Sequence, residues 1–120
     1  MTFRLGNEKR RIRNSKDTPI IKKKLDKGVM AEANMDGSIF VDHKVDLNSK
    51  EGRKTIAHEM QHIKDMKSGK AAYGDDYVRW KGETYARDNG DIIYKGKKYP
   101  EGSSELPWEQ EAEKAEENVT

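Results

Sequence analysis

The stretch from Ser49 to Lys67, SKEGRKTIAHEMQHIKDMK, carries His58-Glu59-Met60-Gln61-His62 at its centre. Ile56, Met60, Ile63 and Lys67 recur at helical spacing, broadened by Ala57, so the stretch predicts an amphipathic helix. Asn48 followed three residues later by Glu51 reads as a capping box, and Gly69 is placed to end the helix. On such a helix His58 and His62 sit one turn apart on the same face, at the flank of the apolar stripe. Both imidazoles can then reach one metal ion. Glu59, next to the first histidine, is placed to take a proton from zinc-bound water as general base.

The composition narrows the metal chemistry. The chain has 120 residues and no cysteine, so any transition metal must be held by histidine and carboxylate, and no disulfide framework exists. Its length fits one domain. With 32% hydrophobic and 38% charged residues, the core must be small, and a metal or a partner surface could supply part of the stability.

No run approaches the ~20 apolar residues needed to cross a bilayer. The basic segment Met1 to Arg13 has no apolar region behind it, so the reading has no signal peptide, no membrane partner and a cytoplasmic location. Charge is uneven: residues 1–28 hold ten Lys/Arg against three Asp/Glu, and residues 101–120 hold seven Glu against one Lys. Solvated ends account for this pattern; contact of the Lys9-to-Arg13 cluster with nucleic acid is the lesser reading, because no interleaved aromatics support stacking.

Outward from the central helix, residues 1–16 show no sustained period and read as a basic arm ahead of a domain spanning 17–120. Asp17-Thr18-Pro19 looks like a helix start, with Ile20, Ile21 and Leu25 on one side and Gly28 at the end. Val29–Ala33 and Ser38–Asp42 flank Asp36-Gly37 and read as a hairpin. Its second strand reads as a sheet edge, where Ile39, Phe40 and Val41 could hold an extended peptide by β-pairing. His43 reads as a surface residue. Residues 73–102 form a β-rich insert with strands at Tyr77–Trp80, Glu83–Arg87 and Asp91–Lys95, a turn at Asn89-Gly90, and all five tyrosines of the chain. These tyrosines are candidates for core, substrate or protein-partner contact.

A last helix begins near Ser104-Glu105-Leu106-Pro107 and carries Trp108, Ala112, Ala115 and Val119 as a narrow apolar stripe. A catalytic zinc usually has three protein ligands; with no cysteine and His43 poorly placed, the third should be a carboxylate. At about 100° per residue, Glu111 lies about 60° from Trp108, with small Ala112 beside it; Glu109 lies about 100° away on the opposite flank. Glu111 is the first choice and Glu109 the alternative. Asp65, one turn after His62, could support a ligand.

His58-Glu59-Met60-Gln61-His62, followed by Pro107-Trp108-Glu109-Gln110-Glu111-Ala112, resembles the gluzincin metallopeptidases. In them two histidines and a downstream glutamate, often followed by alanine, bind zinc. Ala33 to Asp42 is similar to the hairpin ahead of the motif in minimal, often phage-encoded, members. The resemblance spans roughly residues 29–116 and implies a zincin-like α+β fold with the sheet packed on the histidine helix. It implies zinc-dependent hydrolysis of a peptide or protein substrate, with Glu59 catalytic and His58, His62 and Glu111 on the metal. It has no counterpart for the insert and assigns no group that stabilises the oxyanion. The competing reading is a non-catalytic structural or interaction protein of the same fold, associated with a virion if phage-encoded.

Overall fold

A computed structural model describes residues 2–5, as backbone, and residues 18–119. Among these residues the chain is α+β, with two sheets and two helices. The Lys9-to-Arg13 cluster lies outside the described residues. No helix among them is long and apolar enough to cross a membrane.

The hairpin forms as its sequence requires. Strands β3 (Val29–Ala33) and β4 (Ile39–Asp42) pair antiparallel, with Ala31 opposite Val41 and Ala33 opposite Ile39. Gly37 takes φ 89° at the turn, a conformation that costs glycine little, and Asp36 accepts from the Ser38 N–H at 2.9 Å. Both strands are buried almost throughout, Phe40 included.

The helix expected after Asp17 is instead strand β2 (Ile20–Lys23), paired in parallel with β4. The local signals of a cap and a proline are short-range. They yield to β-branched Ile20 and Ile21 and to a ladder of backbone hydrogen bonds along β4. All four β2 residues are exposed, so there is no apolar face that a helix could have buried. Ile39 N–H donates to Pro19 O at 2.8 Å at the start of the strand, and at its end Lys22 Nζ donates to Val45 O at 2.7 Å and Leu25 N–H to Asp42 Oδ1 at 3.0 Å. Strand β1 (Thr2–Leu5) pairs in parallel with β3, giving the order β1-β3-β4-β2. This order corrects the expectation of a substrate-binding edge at Ile39, Phe40 and Val41. With β3 on one side and β2 on the other, β4 has no free edge.

Helix α1 (Lys50–Lys67) follows. Its cap is Ser49, one residue later than expected, whose Oγ accepts from Gly52 N–H at 2.9 Å and donates to Asp46 O at 2.7 Å. This tight entry brings Asp46 against the first turn, where a Cβ on residue 52 would sit 1.9 Å from Asp46 O. Gly52→Ala is therefore expected to displace the helix start and destabilise the fold by about 1–3 kcal/mol, measurable by urea unfolding. At the other end Gly69, at φ 82°, donates to Met66 O, the turn expected of it.

Five antiparallel strands come next as a meander: β5 (Ala71–Tyr73), β6 (Tyr77–Trp80), β7 (Glu83–Asp88), β8 (Asp91–Tyr94) and β9 (Lys97–Pro100). Three tight turns, Lys81-Gly82, Asn89-Gly90 and Lys95-Gly96, each place two residues at positive φ. That pair of angles matches the right-handed twist of the strands they join. The insert is part of the core, since Val78, Trp80 and Ile92 are buried together with Ile39, Val41 and Ile63.

Helix α2 (Pro107–Glu116) starts at the expected proline and stops short of Val119. Buried Leu106 anchors its entry, and it packs between α1 and the meander. Trp108 turns toward the meander, within 5.8–6.3 Å of the rings of Trp80, Tyr85 and Tyr94.

Candidate metal centre

Helix periodicity in α1 puts His58 and His62 side by side, with ring centroids 5.0 Å apart. The first turn of α2 then delivers Glu109 between them. Glu109 Oε1 lies 2.8 Å from His58 Nε2 and 3.1 Å from His62 Nε2. Each of the three residues offers a donor atom within 4.8 Å of the other two, a spacing one metal ion can occupy. His58, His62, Glu109 and Glu59 are all at most 2% exposed.

Glu111, the first choice for the third ligand, is directed elsewhere. Both its oxygens accept from Lys70 Nζ, at 2.7 and 2.8 Å, and Oε1 also accepts from Gln61 Nε2 at 3.2 Å. The angular argument centred the buried stripe on Trp108, but α2 has two covered faces. Trp108 marks the face on the meander. Glu109, Ala112 and Glu116, at i, i+3 and i+7, mark the face on α1. Fully buried Ala112 allows the close approach once assigned to the Glu111 flank.

The remaining sequence candidates separate. His43 is half exposed and its nearest charged neighbour is Asp42, at 3.7 Å. Asp65 accepts from Gln61 Nε2 at 3.0 Å. Glu116, which the sequence reading did not single out, lies 2.7 Å from His58 Nδ1 through Oε2. A signal for it existed: it follows Glu109 by two turns on one face.

The electrostatics are those of a charged cluster kept from water. Burial alone would raise the Glu109 carboxyl, but the charge of His62 and hydrogen bonds from both histidines hold it down at about 2. Burial opposes the charge on His62, yet Glu109 and Glu59 push its pKa up to about 9. His58 is raised too: burial works against it, and the Glu109 hydrogen bond with the charges of Glu59 and Glu109 prevails. Glu59 has no such partner. Burial pushes its carboxyl up to about 7, against the opposing pull of His62 and His58.

Neither Glu59 oxygen, nor Glu109 Oε2, has a hydrogen-bond partner among the described residues. Buried polar atoms are rarely left so. Both nitrogens of His58 face carboxylate oxygens, an arrangement that without metal requires a proton on each. A cation between the rings and Glu109 would replace protons there and give the Glu109 carboxylate a partner. The donor set of two imidazoles and a carboxylate suits such an ion.

No protein-family model matches the chain, and no curated protein or solved structure matches it.

Proposed function

We propose that the chain is a zinc-dependent peptidase of gluzincin type, with His58, His62 and Glu109 as metal ligands and Glu59 as general base. The observation that carries this reading is the convergence of three buried donors on one point, beside a buried carboxylate with neither oxygen engaged. Zinc is favoured by the cysteine-free nitrogen and oxygen donor set and by its spacing on a helix. When bound, zinc supplies Lewis acidity, polarising a scissile carbonyl and making water acidic near neutral pH.

The protein's own groups do the rest. Glu59, buried beside the two histidines, can take a proton from the attacking water and hand it to the leaving amine. His58 and His62 carry neutral imidazole to the metal, and Glu109 contributes negative charge that partly offsets the ion. A peptide or protein is the substrate class. The enclosed setting strengthens each of these electrostatic effects by excluding water.

Metal content and hydrolysis together test the reading. Wild-type protein purified without chelator should carry about one zinc per chain by elemental analysis and should cleave unstructured protein such as casein. Glu59→Gln should keep the zinc and lose at least about 100-fold in hydrolysis, the effect of removing general-base catalysis. His58→Ala should lose the zinc. A wild type that neither carries zinc nor gains it on titration overturns the proposal.

The second reading, a metal-holding protein that acts through a partner and not through turnover, is favoured by one observation. All four site residues are at most 2% exposed. In that case the protein should bind a partner stoichiometrically on size exclusion, and Glu59→Gln should change nothing.

A further inference from the structure

Helix α2 brings two carboxylates to one histidine. Glu109 faces His58 Nε2 at 2.8 Å, and Glu116, two turns later, faces His58 Nδ1 at 2.7 Å. We infer that Glu116 is a positioning residue that fixes the His58 tautomer, so that Nε2 and not Nδ1 is offered to the metal. The inference rests on the metal-binding reading above and deepens it, because it names what sets the strength of that site.

The chemistry follows from the donor inventory. A carboxylate only accepts, so the proton of the Glu116–His58 bond belongs to Nδ1. Once a metal takes the place of the Nε2 proton, an imidazole protonated only at Nδ1 offers its lone pair from Nε2, the nitrogen that faces Glu109 Oε1, an oxygen His62 Nε2 also contacts. The Glu116 charge also makes the ring a more basic ligand, the usual effect of a carboxylate behind a metal-bound histidine. Glu116 restrains the ring plane as well, since a bond at each nitrogen leaves no free rotation.

The position of Glu116 supports the assignment from a second direction. It is the last residue of α2, where the helix macrodipole disfavours an anion. Lys114 is the basic residue of that turn, and the Glu116 side chain is 26% exposed against 1% for His58. A carboxylate placed against local helix preference and turned inward onto a buried imidazole is a conflict of the kind that functional sites retain.

The test is zinc affinity measured by competition with a chromogenic chelator, with circular dichroism as the check on folding. Glu116→Ala is expected to weaken zinc binding by roughly 10- to 100-fold, the usual cost of losing such a partner. Glu116→Gln, whose amide oxygen still accepts from Nδ1–H but carries no charge, should fall between. Glu117→Ala, exposed at the same helix end, should bind zinc like the wild type. A spectroscopic readout separates positioning from general damage. In zinc-loaded protein, nitrogen-15 NMR of the histidine rings should show His58 protonated at Nδ1 and metal-bound at Nε2, a pattern weakened in Glu116→Ala and retained in Glu116→Gln.

Zinc affinity of Glu116→Ala within about twofold of wild type, well short of that cost, overturns this inference alone, as does metal bound through His58 Nδ1. A wild type that takes up no zinc overturns both this inference and the function proposed above.

Discussion

Glu109→Ala is expected to abolish tight zinc binding, while Glu111→Ala leaves it intact. Glu109 is one of three donors converging on a single point, and its Oε1 already contacts both histidines. Its loss should exceed the roughly 100-fold penalty seen for outer partners of metal ligands. Glu111 instead joins Lys70 in an ion pair whose two side chains are 33% and 29% exposed. Partial exposure limits such a pair to about 0–1 kcal/mol. Glu111→Ala should therefore lower stability slightly and leave the zinc stoichiometry unchanged. Isothermal titration with zinc on both variants decides the matter. Equal loss in the two would overturn Glu109 as the third donor.

The second large effect is an inversion of pH dependence when metal is added. In metal-free protein the carboxyl of Glu59 is raised from its ordinary 4.5 to about 7, and His62 from 6.5 to about 9. A group with a raised folded pKa contributes stability that is fully present below its unfolded value and is lost as pH rises through its folded value. Stability of the metal-free protein should thus fall between about pH 4.5 and pH 9. Glu109, depressed to about 2, contributes the opposite slope at the acid end, where its stabilisation is lost as pH drops below 4.5 toward 2.

Zinc requires both imidazoles without their metal-facing protons, so its binding strengthens as pH rises. With zinc at a hundredfold excess over Kd, stabilisation of about 2.7 kcal/mol is expected, or on the order of 10 °C in melting temperature for a domain of this size. Melting curves at pH 5, 7 and 9, with zinc and with chelator, should diverge as pH increases. Parallel curves would show that these buried groups are not where zinc binds.

The parts of the fold that sequence revealed are those governed by near neighbours. The histidine pair on α1 followed from helical spacing, and the β3–β4 hairpin from Asp36-Gly37 between short apolar runs. The turn at Asn89-Gly90 was legible for the same reason. Lys81-Gly82 and Lys95-Gly96 make equivalent turns with a residue less prone to positive φ, so only their strands reveal them.

What stayed hidden depends on distant contacts. Strand β2 exists through parallel pairing with β4, and nothing within Ile20–Lys23 announces that partner. The same pairing removed the edge that Ile39 to Val41 was expected to present. The carboxylate that meets the histidines is Glu109, the alternative to Glu111, and its choice depended on a related long-range contact. The stripe of α2 gave its inward side, but which flank meets α1 depends on how Trp108 settles among Trp80, Tyr85 and Tyr94. Glu109 and Glu111 stand on opposite flanks of that tryptophan, so a modest error in rotation exchanges them.

The meander between the helices also has a bearing on how the protein is made. Glu109 stands 47 residues after His62, and about two thirds of that interval is the meander with its tight hairpins. During synthesis the two histidines leave the ribosome early, while their carboxylate emerges only after the sheet has been translated. Until then the nascent chain presents only two of the three converging donors. Hairpins with local turns close in microseconds, far faster than residues are added at 5–20 per second, so the sheet can be in place when α2 appears. On the function proposed above, metal capture would then wait for α2, and a product truncated before residue 109 would lack one of the three converging donors.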